Sequence, residues 1–316
     1  MNSNRKKILV ALDGSGHAFD TLGYLSQVLV PHRVELVLFS VLNREPERFW
    51  DTEEIPLLKS GLTDTGDWEI QQKKAIEEFM ENALQLLTDR GFPVGAVMVK
   101  IQERKMGVAR DIILEAQDGY DAVVTGRQGM NPITRLVIGS IASKLIGSLT
   151  HVPLWLVGKT VQNKRILVSI DASEGAMRAV EHVGSMVGGA NLELTLFHVI
   201  RRLESKLPGK DEKFFEPVGK DESTQEYKDE LAIRAVFEKA YKVLEEAGFN
   251  QEQITTKIIS GVATRSGSIV AQAMNGGYGT IVLGRRGHSK VGEFYMGRVT
   301  NKVIQLANKM AVWVVS

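Results

Sequence analysis

The sequence predicts an α/β protein made of two tandem copies of one parallel-sheet domain, and three observations support this fold class. The chain has 316 residues, more than one ordinary hydrophobic core requires. Short apolar runs alternate with helical patterns, which favours a parallel sheet covered by helices on both faces. The same order of elements returns in the second half, so we predict domains at 1–158 and 159–316.

The internal repeat is carried by matching segments at a constant distance. Residues 7–13 return as 165–171, and residues 119–126 return as 277–284, each 158 positions later. A period of this size indicates duplication of a whole domain rather than a solenoid of short repeats.

Each element of the first half follows from its local pattern. Short apolar or alternating runs bounded by turn residues predict strands, and apolar residues at helical spacing predict helices. The predicted strands are 8–12, 35–42, 97–101, 122–125 and 154–157, and the predicted helices are 18–29, 68–87, 108–116 and 140–149. Segments 43–66 and 200–222 differ completely between the halves and are predicted to be long loops, either lids, partner surfaces or tolerated insertions. The face of helix 68–87 expected to be buried consists of Ile70, Ile76, Phe79, Ala83 and Leu87.

Composition excludes several classes of function. A formal net charge of +1, from 39 basic and 38 acidic residues, gives no reason to expect a nucleic-acid or membrane partner. The chain has no cysteine, so disulfides, thiolate catalysis and cysteine-ligated metals are excluded. None of the six histidines forms a helical metal-binding pair, so no metal site is predicted. The start of the chain is polar and no apolar run reaches the roughly 18 residues that span a bilayer, so we expect a soluble, cytoplasmic protein.

A glycine-rich loop follows the fourth predicted strand. Gly126 and Gly129 are followed, after nine residues, by Gly139 and Ser140, which begin a helix. Glycine lets the backbone approach a phosphate closely, and a helix N-terminus offers free N–H groups to an anion. The Ser140 hydroxyl either caps this helix or donates to a phosphate oxygen. A tight turn before an ordinary helix is the alternative, but the same glycine spacing in the second half favours a phosphate site in at least one half.

This loop, together with the first strand and its acidic residue at 10–15, resembles the ATP-binding signature of the universal stress protein family. The resemblance covers essentially the whole chain as two tandem domains. It implies a doubly wound, five-stranded parallel sheet in the order 3-2-1-4-5, like that of adenine nucleotide alpha hydrolases. In that order strands 1 and 4 are neighbours, so ligand-binding residues meet at their carboxyl ends.

The resemblance also implies roles for individual residues. Asp13 would contact the ribose or adenine, Val41 would line the adenine pocket, and the loop glycines with Ser140 would hold phosphates. Arg127 is either a further polar contact to the ligand or a solvent-facing loop side chain. The cofactor implied is ATP, with or without Mg²⁺.

The second half departs from this signature at one position. Gly284 and Gly287 are followed, after nine residues, by Gly297 and Arg298, so an arginine stands where the first half has a serine. The planar guanidinium of Arg298 either binds phosphate or fills the space beside the helix and closes the site.

Other positions of the second half keep the expected pattern. Asp171 and Val199 correspond to the acidic residue and the adenine-pocket valine of the first half, and His198 is placed to border the same cleft. Arg285 and Arg286 make the second loop more basic. Whether this half binds nucleotide is left open by the sequence.

The function that these observations favour is a nucleotide-dependent regulatory or stress-response module that binds ATP. A slow ATPase or phosphotransferase is an alternative, although no Walker A motif or convincing general base is found. A structural or partner-binding protein with vestigial sites is a third. Trp155 and Trp313 recur on the last strand, and the family resemblance implies pairing there, as an internal pseudo-dimer of the halves or as a homodimer.

Overall fold

The chain is an α/β protein that divides into two compact units at Gly158 and Lys159. The computed structural model describes residues 5–42, 65–127, 138–158, 163–200, 222–260, 262, 264–287 and 296–316. Most of the predicted long loops, at 43–64 and 201–221, and Gly129 of the glycine-rich loop lie outside these ranges.

The elements alternate between strand and helix in both units. In the first unit they are β1 (Lys6–Ala11), α1 (Gly16–Val28), β2 (Val34–Leu42), α2 (Thr65–Asp89), β3 (Val97–Glu103), α3 (Val108–Glu115), β4 (Ala122–Gly126), α4 (Ser140–Ser148) and β5 (Leu154–Val157). In the second they are β6 (Arg165–Ser169), α5 (Glu174–Val187), β7 (Glu193–Val199), α6 (Glu222–Glu246), β8 (Ile254–Ile259), α7 (Arg265–Asn275), β9 (Thr280–Gly284), α8 (Arg298–Leu306) and β10 (Ala311–Val315).

The strand order confirms the predicted fold class. The strands of the first unit pair in the order β3-β2-β1-β4-β5, and every pair is parallel. Those of the second unit pair in the equivalent order β8-β7-β6-β9-β10, also in parallel. The carboxyl ends of β1 and β4, and those of β6 and β9, are therefore neighbours at the point where strand order reverses, where such sheets bind ligands.

The cores consist of apolar strands covered by helices. Ile8, Leu9 and Val10 of β1 have no exposed surface, as expected of a parallel strand that is packed on both faces. Trp155 on β5 and Trp313 on β10 occupy matching positions and are also fully buried. These tryptophans are therefore parts of the buried interior.

Helix α2 is longer than predicted, since it includes the last two residues of the predicted loop 43–66, and one residue of its expected buried face is exposed. It begins at Thr65, and four of the five expected residues, from Ile76 to Leu87, are buried, but Ile70 is 68% exposed. Six residues separate Ile70 from Ile76, a rotation of about 600°, which places Ile70 about 120° away from the buried stripe. The assignment of Ile70 to the buried face was therefore wrong.

None of the helices in the described ranges is both long enough and apolar enough to cross a membrane.

Candidate functional site

The second unit contains a cavity of about 400 Å³ at the carboxyl ends of β6, β7 and β9. Its walls also include the first turns of α5, α7 and α8. A volume of this size falls within the range of pockets that hold small organic ligands. The cavity therefore lies where the sheet topology places a ligand site.

Glycines and two arginines form one end of this cavity. Gly284, at the end of β9, lies here together with Gly287 and Gly297. The positive charge at this end comes from Arg286 and Arg298, which both line the cavity. These residue types suit an anion. The glycine backbone can come close to the ligand, and the two guanidinium groups supply N–H hydrogen-bond donors.

The loop that joins β9 to α8 is closed at its base by a backbone hydrogen bond. The N–H of Gly297 donates to the carbonyl oxygen of Arg285 at 2.9 Å. The Thr300 hydroxyl, in the first turn of α8, donates to the carbonyl oxygen of Gly284, also at 2.9 Å. The end of β9 and the start of α8 are thus held side by side.

Two of the loop glycines are required by close contacts within the protein. A Cβ atom at Gly287 would lie 2.6 Å from Oδ2 of Asp171, so glycine lets the loop pass next to this carboxylate. A Cβ atom at Gly284 would lie 2.6 Å from the carbonyl carbon and oxygen of Gly175 in α5. Gly284 therefore also permits close packing of β9 against α5, a role that the sequence motif did not indicate.

Asp171 is fixed at the cavity wall by the turn that follows β6. Its Oδ1 accepts the backbone N–H of Ser173 at 3.1 Å and also the Ser173 hydroxyl. The Ser173 side chain in turn accepts the N–H of Ala176 and caps α5. This arrangement holds one carboxylate in a single orientation beside the glycine loop.

The opposite end of the cavity is mainly apolar. Val199, Ile233 and Ile269 line it, from β7, α6 and α7 respectively. His198 borders the cavity too, as its place in the sequence suggested. Its Nδ1 lies 2.6 Å from the carbonyl oxygen of Ile170, and because a carbonyl only accepts, Nδ1 carries the proton.

Arg265 supplies a guanidinium at this apolar end. It is the first residue of α7 and lines the cavity. The preceding residue, Thr264, caps the helix by accepting the N–H of Gly267 at 3.3 Å. Sequence reasoning missed Arg265, although comparing the first residues of matching helices would have revealed it, since α3 begins with Val108.

Arg298 does not close the site. It is the first residue of α8, its side chain is exposed, and the cavity beside it is open. The interpretation in which its bulk fills the space beside the helix is therefore wrong.

Arg285, by contrast, is only 4% exposed, and burial and the neighbouring charge of Arg286 lower its pKa.

The first unit places its predicted residues at equivalent positions. Asp13 follows β1 and accepts the N–H of Ser15 at 3.0 Å, while Val41 lies near the end of β2. Gly126 ends β4, beside β1 in the sheet. The topology thus brings these three residues to one edge of the sheet, as the strand order predicted.

The start of α4 does not have the Ser140 cap that the sequence offered as one alternative. Gly139 occupies the N-cap position and Ser140, which is exposed, is the first helical residue. The N–H of Gly139 donates to the carbonyl oxygen of Arg127 at 2.7 Å, which closes this loop as in the second unit. The Ser140 hydroxyl is therefore not at the N-cap.

Arg127 is buried rather than solvent-facing. Its side chain is 3% exposed, and burial lowers the pKa of the guanidinium to about 10. The interpretation of Arg127 as a solvent-facing loop residue was wrong, because this position directly follows a buried strand and its N–H still pairs with Val157 of β5 at 3.0 Å. In the described part of the chain, no cluster of three or more histidine, aspartate or glutamate side chains could hold a metal ion.

Comparison with known proteins agrees with this architecture. The sequence model of the universal stress protein family matches residues 4–158 and again residues 162–316. Universal stress protein MJ0577 of Methanocaldococcus jannaschii is 30% identical over 156 residues, which are 48% of this chain and 93% of that protein.

Solved structures show the same fold. A universal stress protein from Archaeoglobus fulgidus matches 100% of this chain and 99% of its own, with a TM-score of 0.63 and 21% identity. Another universal stress protein, solved in complex with cAMP, matches 48% of this chain and 96% of its own, with 18% identity and a TM-score of 0.34. The second likeness is too weak to bear on the ligand of this chain.

Proposed function

Because the chain belongs to the universal stress protein family and contains two of its domains in tandem, we propose that it is an ATP-binding regulatory protein of the stress response. The observation that carries the proposal is the cavity of about 400 Å³ at the switch point of the second unit. The first unit has the same strand order and the full glycine and serine pattern. We therefore propose one nucleotide site in each unit, with ATP in the first.

The residues of the second cavity fit a nucleotide along its whole length. The triphosphate would lie at the glycine end, where Arg286 and Arg298 offer donors. The oriented carboxylate of Asp171 would accept hydroxyl hydrogens of the ribose, and Val199 would contact the base. In the first unit the corresponding roles fall to Asp13 and Val41, with the loop glycines and Ser140 at the phosphates.

We propose binding rather than turnover as the main activity. The carboxylates at the two switch points are Asp13 and Asp171, and both follow strands on the side where the ribose is placed. Mg²⁺ would enter with the phosphates of the nucleotide. Pairing of the two halves as an internal pseudo-dimer, or of two chains through their last strands, remains a prediction.

Calorimetric titration of the whole chain with ATP and Mg²⁺ tests the proposal. Gly129→Val is expected to abolish ATP binding in the first unit, since the glycine motif assigns this position to close approach of the backbone to the phosphates. Gly287→Val is expected to abolish nucleotide binding in the second unit, because its Cβ would stand 2.6 Å from Asp171. Mass spectrometry of the denatured wild-type protein would identify any nucleotide that co-purifies.

Gly95→Val is the matched control. A Cβ atom at Gly95 meets no atom within 4 Å, and this glycine precedes β3 at the other edge of the sheet. It should bind nucleotide like the wild type. Absence of bound nucleotide, together with no heat of binding, would overturn the proposal. Binding that survives both loop variants would instead refute the assignment of the sites.

A further inference from the structure

The two units differ at the end of the site that would hold the base. The first residue of α7 is Arg265, which lines the second cavity, whereas the first residue of α3 in the first unit is Val108. A valine offers only apolar contact, but an arginine offers a planar fork of N–H donors. The two units therefore differ in the hydrogen bonds that they can offer a ligand, and not only in the charge of the site.

Arg265 lies next to the apolar residues of the cavity. Helix α7 packs against β7, whose last residue is Val199, and Ile269 lies one turn after Arg265 on the same side of the helix. The guanidinium is therefore beside the apolar side chains that would contact the base.

The surroundings of Arg265 suit a flat aromatic ring. Val199, Ile233 and Ile269 line the same end of the cavity, so the ring would lie among aliphatic side chains with its edge towards the arginine. Arg265 opens a helix, where a cation is electrostatically unfavourable, so stability of α7 does not account for it. Among the described residues it also forms no salt bridge or hydrogen bond through its side chain.

We propose that the second unit selects a 6-oxopurine nucleoside triphosphate, such as that of guanine or hypoxanthine, through Arg265. Guanine and hypoxanthine present two acceptors, O6 and N7, which match the two parallel donors of an arginine. Adenine presents the N6 amino group beside N7, so a donor would face a donor. The inference rests on the proposed nucleotide function and gives the two units different purine preferences.

Inosine triphosphate and ATP provide the test, because they differ only at the 6-position and the adjacent N1. Both are titrated calorimetrically into the full chain carrying Gly129→Val, which silences the first site. We expect inosine triphosphate to bind about tenfold more tightly than ATP, at the lower end of what a bidentate arginine contact discriminates. Gly287→Val in the wild-type background should abolish this preference.

Variants of Arg265 separate recognition from simple attraction of charge. Arg265→Gln should reverse the preference towards ATP, since glutamine accepts from N6 and donates to N7 of adenine. Arg265→Lys keeps the charge but not the fork, so it should retain affinity and lose most of the selectivity.

The outcomes distinguish this inference from the proposed function. Equal affinity for both nucleotides, with Arg265→Gln weakening both alike, would overturn the inference and leave nucleotide binding intact. A preference for ATP in the parent protein would also overturn it. If neither nucleotide binds the second unit, the proposed function of that unit fails, and the inference fails with it.

Discussion

The two units share one strand order, but they differ in residues that begin the helices beside the candidate site, α3 against α7 and α4 against α8. The strand order is the same in both, and each last strand carries a fully buried tryptophan. Yet α4 begins with Ser140 and α8 with Arg298, and Val108 of α3 is matched by Arg265 of α7. The same scaffold therefore carries different residues at its two candidate sites, because exposed residues that begin helices can change without changing the strand order.

A second difference lies in a buried polar contact away from the candidate sites. In the first unit Glu115 accepts from Lys100 at 2.6 Å and from the Tyr120 hydroxyl at 2.8 Å. In the second unit the hydroxyl of Tyr278 lies 2.9 Å from that of Thr195, in a neutral contact. The first unit thus relies on a charged group where the second uses hydroxyls, and this predicts different responses to pH.

Removing the matching tryptophans tests whether the two scaffolds are equally stable. Trp155→Ala and Trp313→Ala should each lower the free energy of unfolding by about 3–5 kcal/mol, through lost burial and a cavity. Trp313 also meets the ring of His182 edge-on, with centroids 5.8 Å apart, and this contact is lost with the tryptophan. Urea denaturation followed by circular dichroism measures both, and losses below about 1 kcal/mol would contradict their place in the core.

Exchanging the residues at the phosphate end tests the difference in charge. Arg298→Ser should weaken nucleotide binding in the second unit by roughly 10-fold to 100-fold, since a charge-assisted hydrogen bond contributes about 1.5–3 kcal/mol. Calorimetric titration measures the change. Lys302→Ser removes the same charge from an exposed position further along α8 and should have little effect. An equal loss of nucleotide affinity in both variants would mean that Arg298 acts only through net charge.

Acidification should destabilise the first unit more than the second. Burial opposes ionisation of Glu115, but the hydrogen bonds from Lys100 and Tyr120, with the charge of Lys100, outweigh it and hold the pKa of Glu115 below its ordinary value. The ionised group therefore stabilises the fold at and above ordinary carboxylate pKa values. This stabilisation is lost as pH falls through the lowered pKa.

Glu115→Gln isolates this contribution. The variant should lose about 1–2 kcal/mol of stability at pH 7 and show a flatter decline below pH 4.5 than the wild type, measured by urea denaturation at several pH values. Thr195→Val, in the second unit, should leave the acid dependence unchanged. A wild-type decline that Glu115→Gln does not alter would assign acid sensitivity to other groups.

The smallest expected effect concerns the cap that positions Arg265. Thr264→Ala removes the side-chain acceptor at the start of α7 and should cost about 1 kcal/mol of stability. It should also reduce the preference for inosine triphosphate, because the arginine is then less well placed. Thr264→Ser keeps the hydroxyl and should restore both properties, and failure of this rescue would argue against a positioning role.

The sequence predicted the scaffold well because the relevant information is local and repeated. Apolar runs and the glycine spacing return at a fixed distance, so the duplication and the element order could be read directly. The strand order came from the family resemblance. The surroundings of single side chains could not be read in this way, as Arg127 shows, since its burial depends on how the strand end is covered.

Comparison of matching helix starts could single out Arg265 in the sequence, but it could not show which residues share the second cavity with it. Arg265 lies more than 60 positions from Val199, and only the parallel sheet brings the ends of their strands to the same edge. The structural role of Gly284 has a similar origin, since the Gly175 backbone that it approaches belongs to another element. Contacts of this kind arise from tertiary packing and leave no periodic signal.

The backbone hydrogen bonds that close the two glycine loops have a practical consequence for protein engineering. Gly139 bonds to Arg127 and Gly297 bonds to Arg285 through main-chain atoms alone, so the anchor points do not depend on the side chains between them. Residues 128–138 and 286–296 have the same length, so we expect that they can be exchanged as cassettes. A chimeric protein with swapped cassettes would transfer loop chemistry from one unit to the other without redesign of either sheet.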